Sequence, residues 1–350
     1  MDELTAFIDD KLEEERFIPD FSKHNLNSYK TNLEIDPNNW ELKNILPYFE
    51  SEEVYLPLYQ EVEFQEGLSI ELKIEMLSQS EIDQHILYRE SLFHNHDFFE
   101  LIYVYKGQCI NKIDGEKLVL NMGELMLFNL QSVHKIIVPS KESIVFTFLV
   151  TKEVFNKSLI PLLGEEDPLL RFYANSLFNI PGKSFYLFDL NQISKAQYTL
   201  LSMVETCMNR RRYATQLLLL DFEKLMVLLS EELSQHPNLQ NLAFQEIEQI
   251  LWYIFSNYQT ITLTQLAEHF GYVPRTLIRY LKKATNQTFS EIVQDYRLLN
   301  VCSDLKQTKA SLEQIAEVHG FSERSYMDKV FKKKFGMTPI AYRKKFASKT

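Results

Sequence analysis

Two groups of residues in this sequence have types and spacing suited to chemistry. His94-Asn95-His96 is followed by Glu100, and His134 stands further on. Three imidazoles and a carboxylate form a donor set for a divalent transition metal. Without a metal, the same groups hydrogen-bond the hydroxyls of a small ligand. In an unbroken strand, positions 94, 96, 98, 100, 102 and 104 share one face, so His94, His96 and Glu100 would converge. The second group lies near the C-terminus. Arg275, Thr276, Ile278, Arg279, Lys282 and Lys283 form one set; Arg324, Ser325, Asp328, Lys329, Lys332 and Lys333 form another. An arginine can bond a guanine edge through two hydrogens, worth ~1–3 kcal/mol of discrimination. Lysines trailing behind it suit phosphates, which supply affinity but carry no sequence information.

The elements that must position the basic groups are legible as a repeat. Gln265-Leu266-Ala267-Glu268-His269-Phe270-Gly271-Tyr272 recurs as Gln314-Ile315-Ala316-Glu317-Val318-His319-Gly320-Phe321, with four identities. Each copy reads as a short helix, a glycine turn and a second helix. Leu263, Leu266, Ala267 and Phe270 fall on one helical face. Thr262-x-x-Gln265 and Ser311-x-x-Gln314 have capping-box form. Gly271 and Gly320 can take the left-handed backbone that ends a helix. Pro274 is a favoured first helical residue. From it, Leu277, Leu281 and Ala284 turn inward; in the second copy Tyr326, Val330 and Phe331 do so. The whole is a helix-turn-helix pattern, whose second helix enters a major groove. Phe289 to Leu305 reads as one helix joining the copies.

On these residues, 250–346 resemble the DNA-binding domain of the AraC family. The second half carries most of the pattern: Ile315-Ala316, Gly320-Phe321-Ser322, Ser325-Tyr326, Phe331-Lys332-Lys333, Phe335-Gly336-Met337-Thr338-Pro339 and Tyr342-Arg343. Met327 replaces the usual Phe and Leu312 the first Ile. The first half matches at Leu266-Ala267, Pro274, Leu277, Arg279 and Lys282-Lys283. It departs at Val273, where the family prefers a serine cap, and at Asn286, where it prefers Gly. Asn tolerates the left-handed conformation, whereas Val cannot cap. The resemblance implies that one chain inserts two helices into successive major grooves, about one turn (~10 bp) apart.

Residues from about 52 to 155 read as strands. Leu68 to Met76 alternates strictly, with Glu66-Gly67 before it as a hairpin turn and Asp114-Gly115 as a later one. Phe98–Tyr105, Lys117–Leu120, Leu125–Asn129, Val133–Val138 and Ile144–Val150 add short strands. Even spacing suggests a small barrel or double-sheet jelly roll. The His94-x-His96-x-x-x-Glu100 run, with His134 later, resembles the cupin signature, in which these residues converge inside a barrel on a metal. The second cupin motif is degraded at Asn129-Leu130, and AraC-type regulators often keep the first as barrel architecture alone. We therefore assign His94, His96, Glu100 and His134 to an effector pocket, with no metal and no cofactor. The family resemblance implies a small effector, often a sugar. Tyr103 and Tyr105 could stack on a sugar ring, but their odd parity points them away.

The remaining segments read as helical, notably Ile193–Met208 and Thr215–Leu233, separated by Arg210-Arg211-Arg212. Their leucines suit either packing on the barrel or the dimer interface that the family implies. His236-Pro237-Asn238 marks a linker.

Composition bounds the whole. The 350-residue chain has net charge −11, but the charge is divided. Residues 245–350 carry +6 and residues 1–244 carry −17, with −15 in the first 90 alone. A basic module that meets an anionic partner is joined to a domain that does not. The acidic residues 1–51 exceed the two-domain plan. They suit a solubilising or dimer-bracing arm better than a mask over the basic domain. Three isolated cysteines (Cys109, Cys207, Cys302) argue for a reducing compartment and against a disulfide framework or Cys-based zinc site. The start Met1-Asp2-Glu3-Leu4 is acidic where a secretion signal is basic, and no apolar run approaches ~18 residues.

The expected fold is α+β: a cupin-like N-terminal β-barrel with flanking helices, and an all-α C-terminal domain with two helix-turn-helix motifs. Expected domains are 1–51, an acidic helical segment; 52–155, the effector-binding barrel; 156–240, a helical dimerisation or linker region; and 245–350, the DNA-binding domain. The expected function is sequence-specific transcription regulation from the cytoplasm. Expected partners are double-stranded DNA, a small effector, a second copy of the chain and, for an activator, RNA polymerase; no membrane is involved. The chain is read as a non-enzyme. The alternative is a metal-dependent cupin enzyme fused to a DNA-binding domain, using His94, His96, Glu100 and His134. No phosphate-binding glycine loop or nucleophile elbow supports a kinase, hydrolase or nucleotide-binding reading.

Overall fold

A two-residue loop sets the register of the N-terminal sheets. Asp114 and Gly115 both have positive φ, 52° and 79°, which is the conformation of a primed hairpin turn. It joins β6 (Gln108–Ile113) to β7 (Glu116–Asn121), with Ile113 opposite Glu116. The computed structural model describes residues 1–16, 55–58, 69–77, 87–154 apart from 92, 97 and 131, 158–159, 162–163, 167–177, 183–209, 212–235 and 246–346, with 82, 83 and 85. The Glu66-Gly67 turn, the His236-Pro237-Asn238 linker, Arg210-Arg211 and the acidic segment beyond residue 16 lie outside them.

The described residues fall into two units, drawn from 1–63, 71–149 and 184–225, and from 64–70, 150–183 and 226–350. The first unit is built on two sheets. One has the order β1 (Tyr55–Leu58), β4 (Phe93–His96), β9 (His134–Val138), β6, β7, and β3 (Arg89–Glu90) also pairs with β9. The other runs β11 (Phe185–Asp189), β8 (Glu124–Phe128), β5 (Phe99–Lys106), β10 (Ile144–Val150), β2 (Ile70–Glu75). Their inner faces share one core. Ile102, Val104, Met126, Phe128 and Val145 come from the second sheet, and Cys109, Ile113, Leu120, Ile136 and Val138 from the first.

Nearly every residue of β5 is buried, because its other face is also covered. Two helices lie wholly in this unit among the described residues, α1 (Asp2–Arg16) and α4 (Ser194–Asn209), the latter following α2 (Lys152–Val154) and α3 (Pro168–Leu177) in the chain, and α5 (Ala214–Ser234) begins in it. Tyr105 donates to Asp9 Oδ1 on α1 at 2.9 Å, and Gln197 on α4 donates to the Tyr103 hydroxyl at 3.2 Å. Ile8 and Leu12 of α1 are buried, and α1 packs on α4. The odd-parity tyrosines thus face helices, as their register requires. Two sequence expectations are corrected. Positions 94 to 104 are not one strand, since β4 and β5 are separate and belong to different sheets. Residues 185–189 are not helical; they form β11, antiparallel to β8.

The second unit holds the basic domain. Its helices are α6 (Glu246–Ser256), α7 (Leu263–His269), α8 (Pro274–Thr285), α9 (Phe289–Gln307), α10 (Leu312–Val318), α11 (Arg324–Phe335) and α12 (Pro339–Phe346); α5 (Ala214–Ser234) precedes them. Two hydrophobic cores stand among the described residues of these helices. The first gathers α6, α7 and α8 around Ile292, Val293 and Tyr296; the second gathers α10, α11 and α12 around Leu298, Val301, Cys302 and Leu305. The two stretches of α9 thus serve different cores, so α9 is apolar on more than one face. In this unit α3 is tied to α6. Arg171 donates to Glu248 Oε2 at 2.8 and 3.1 Å, and Asn175 donates to Glu248 Oε1 at 2.7 Å. Lys306 of α9 pairs with Glu153 of α2 at 2.9 Å. Among the described residues no helix is long and apolar enough to cross a membrane.

Candidate functional site

Four polar side chains meet between the two sheets. His94 and His96 stand on β4, Glu100 on β5 and His134 at the start of β9. His94 lies directly opposite His134 in the ladder, with ring centroids 4.3 Å apart. The Nε2 atoms of His96 and His134 each approach Glu100 Oε2 to 2.9 Å. All four residues are buried. The convergence foreseen from strand parity is real, but it arises differently. The chain crosses from one sheet to the other between His96 and Phe99, and the two inner faces bring the groups together.

The other ring nitrogens are committed. His96 Nδ1 donates to the carbonyl of Phe98, and His134 Nδ1 lies 3.4 Å from the carbonyl of Ser132. Aromatic faces close the sides, with Phe128 stacked on His134 and Phe98 on His96. Burial alone would push the Glu100 carboxyl up. The adjacent His134 and His96 outweigh it and hold the group well below the ordinary carboxylate range.

The basic site is built by caps and turns. Thr262 and Ser311 both close reciprocal capping boxes with Gln265 and Gln314, satisfying orphan N–H groups at the helix starts. Gly271 and Gly320 have φ of 69° and 74°. Pro274 opens α8; Val273 makes no side-chain cap, and Asn286 ends the helix in the left-handed conformation. On α8, Leu277 and Leu281 are buried, while Arg275, Thr276, Ile278, Arg279, Lys282 and Lys283 are exposed. Lys282 is partly engaged, donating to the Asn286 carbonyl at 2.6 Å.

On α11, Ser325, Lys329, Lys332 and Lys333 are exposed, and Arg324 and Asp328 are half-buried. Arg324 is clamped by two carboxylates, at 2.6 Å from Glu313 and 3.3 Å from Asp328. Tyr326 does not turn inward as the sequence suggested. It is 49% exposed and its hydroxyl donates to Gln294 at 3.2 Å, while Met327 is fully buried. The apolar stripe runs Met327, Val330, Phe331 at the i, i+3, i+4 spacing. The hydroxyl on Tyr326 was the signal against its burial. Glu313, in the first turn of α10, was not read as a partner for Arg324, because pairs across a turn leave no periodicity.

Two segments of this chain match known domain families. Residues 266–345 match a helix-turn-helix domain, and residues 86–150 match the AraC-like ligand binding domain. These two segments are the domain pair of AraC-type transcription regulators, to which the chain is similar. Curated relatives are similar to this chain over different spans. An uncharacterized HTH-type transcriptional regulator, YdeC of Bacillus subtilis, is 24% identical over 262 residues, covering 72% of this chain and 85% of that protein. The HTH-type transcriptional activator RhaR of Mannheimia succiniciproducens is 37% identical over 71 residues, 20% of this chain and 26% of that protein. Apo ToxT from Vibrio cholerae aligns over 81% of this chain and 100% of its own at 18% identity and a TM-score of 0.36.

Proposed function

We propose that this chain regulates transcription by laying α8 and α11 in successive major grooves of duplex DNA, under control of a small ligand held between its N-terminal sheets. The observation that carries the DNA reading is the pair of second helices, each presenting basic residues outward from its own core. Arg275 and Arg279 on α8 and Arg324 on α11 are the base-reading groups. Lys282, Lys283, Lys329, Lys332 and Lys333 meet phosphates. Thr276, Ile278, Ser325 and Asp328 line the same surfaces.

The ligand reading rests on His94, His96, Glu100 and His134, which all lie within the matched ligand-binding segment 86–150. The relatives' names support a regulator rather than an enzyme, and RhaR's name supports an activator, which would contact RNA polymerase. Exposed Leu217 and Leu220 on α5 support a homodimer. The chain works in the cytoplasm, where its three free cysteines stay reduced.

The test is selection of duplexes from a random pool by the whole chain. Two short blocks of base preference, centred ~10 bp apart, are expected. No enrichment over random competitor at physiological salt, with or without added ligands, would overturn the reading.

A further inference from the structure

The two helix-turn-helix copies differ at the residue before the turn glycine, and the difference reaches across the domain. In the first copy that residue is Phe270, which packs on its own core and meets Tyr253 edge-on. In the second it is His319, which is buried. A position that only filled a core would take an apolar side chain, as the first copy does. His319 instead bonds outside its own helical pair through both ring nitrogens. Nε2 lies 2.8 Å from Asp304 Oδ2 on α9. Nδ1 lies 3.0 Å from the Tyr258 hydroxyl, in the loop between α6 and α7. An ionised carboxylate only accepts, so Nε2 carries a hydrogen towards Asp304. In the neutral ring Nδ1 then accepts the hydrogen of Tyr258.

Tyr258 belongs to the surroundings of the first copy. Its ring packs on the first core and stands edge-on to Tyr296, with centroids 5.0 Å apart. Tyr258, His319 and Asp304 therefore join three elements: the loop before the first copy, the turn of the second, and the helix that connects them. Arg297 holds the backbone of the same loop through the carbonyls of Tyr258 and Gln259. None of the three bonded residues stands on α8 or α11. Each copy has its own core, and α9 runs through both. A shared helix leaves two small cores free to turn about it unless a bond off the helix ties them. A directional bond on a buried ring does this, because it is satisfied in one arrangement and lost in others.

We propose that Tyr258, His319 and Asp304 are positioning residues that fix the separation accepted between the two base blocks read by α8 and α11. The inference rests on the reading that these helices enter successive major grooves, and it names what limits the spacing. A duplex of the wrong spacing is still bound if the Tyr258–His319 bond breaks. The worth of that bond is then the ceiling on the discrimination it provides, roughly two- to tenfold for one net hydrogen bond.

The test uses the whole chain. Its duplexes carry the two selected blocks at the selected spacing, or with one base pair more or less between them, beside duplexes with a single block. Tyr258→Phe removes only the hydroxyl. His319→Phe installs the residue type of the first copy, and serves alone should Tyr258→Phe fail to fold. Each variant is expected to keep the parent's affinity for single blocks and to lose roughly two- to tenfold of its preference for the selected spacing. The double variant should lose no more than His319→Phe alone, since one bond is broken in both. An unchanged spacing preference in the folded variants overturns the inference, as does an equal loss on single and paired blocks or an additive double variant. A parent that enriches no duplex overturns the two-groove reading and this inference with it. A parent that reads two blocks while the variants keep its spacing preference overturns the inference alone.

Discussion

The backbone at Gly320 passes so close to Gln259 that a β-carbon at 320 would lie 2.0 Å from the Gln259 carbonyl oxygen. The same loop is gripped from α9. Arg297 donates to the carbonyls of Tyr258 and Gln259, both at 2.9 Å. The loop between α6 and α7, just before the first helix-turn-helix, is thus fastened to the connecting helix and to the turn of the second. Gly320→Ala should therefore cost more than the ~1–3 kcal/mol of a strained left-handed residue, since the backbone must also move. Gly271→Ala has the same φ problem but nothing within 4 Å of the new carbon, so ~1–2 kcal/mol is expected. Thermal unfolding should rank them so, and only Gly320→Ala should lower affinity for two-block sites more than for single-block sites.

Arg279 and Lys333 should separate in kind. Arg279→Ala is expected to relax preference at one base pair, with ~1–3 kcal/mol lost against the best site. Lys333→Ala should weaken all duplexes alike and reduce the salt slope by about one. Binding measured against a panel of single-base variants at several salt concentrations distinguishes them. Equal behaviour would reverse the assignment of faces.

In the proposed reading, Arg324 reaches DNA only by leaving or sharing its carboxylates. Glu313 is exposed, and the Arg324 guanidinium beside it holds its carboxyl below the usual range. The pair is a surface one that adds little to folding. Glu313→Gln should leave the melting temperature unchanged. It should raise DNA affinity, most at low salt, because a negative charge near the phosphates is gone. Unchanged or lower affinity would show that Glu313 positions Arg324 for reading instead of restraining it.

Glu248 is buried on α6 and accepts from both Arg171 and Asn175 of α3. Removing one partner of a buried pair leaves an uncompensated charge, at ~3–5 kcal/mol. Glu248→Ala is expected to lower stability by about 3 kcal/mol at the partly exposed Arg171. The double variant Arg171→Met, Glu248→Leu should recover most of that in denaturant unfolding. A single variant as stable as the parent would mean that α3 is not held by this contact.

Much of the basic domain was legible from neighbours in sequence. Capping boxes, turn glycines, Pro274 and the i, i+3, i+4 leucines act within a few residues, so their pattern survives in a linear reading. The Asp114-Gly115 hairpin and the inward face of β5 were readable for the same reason. The acidic–basic division was countable outright. Other features depend on residues far apart in the chain and leave no period. Phe185 to Asp189 is a strand because β8 offers an open edge, and no local signal announces a partner some sixty positions away.

The amino-acid sequence by itself determined that two capped helical pairs carry outward arginines and lysines, and that imidazoles and a carboxylate recur among alternating strands. Helix periodicity, capping and strand parity are short-range effects, so residue order suffices. Only the tertiary structure decided that His94, His96, Glu100 and His134 meet between the two sheets, that Tyr326 faces out, and that Gly320 lies against Gln259. Those outcomes follow from how two sheets face each other and how two small cores share α9, and such packing is specified by the whole set of buried contacts acting together.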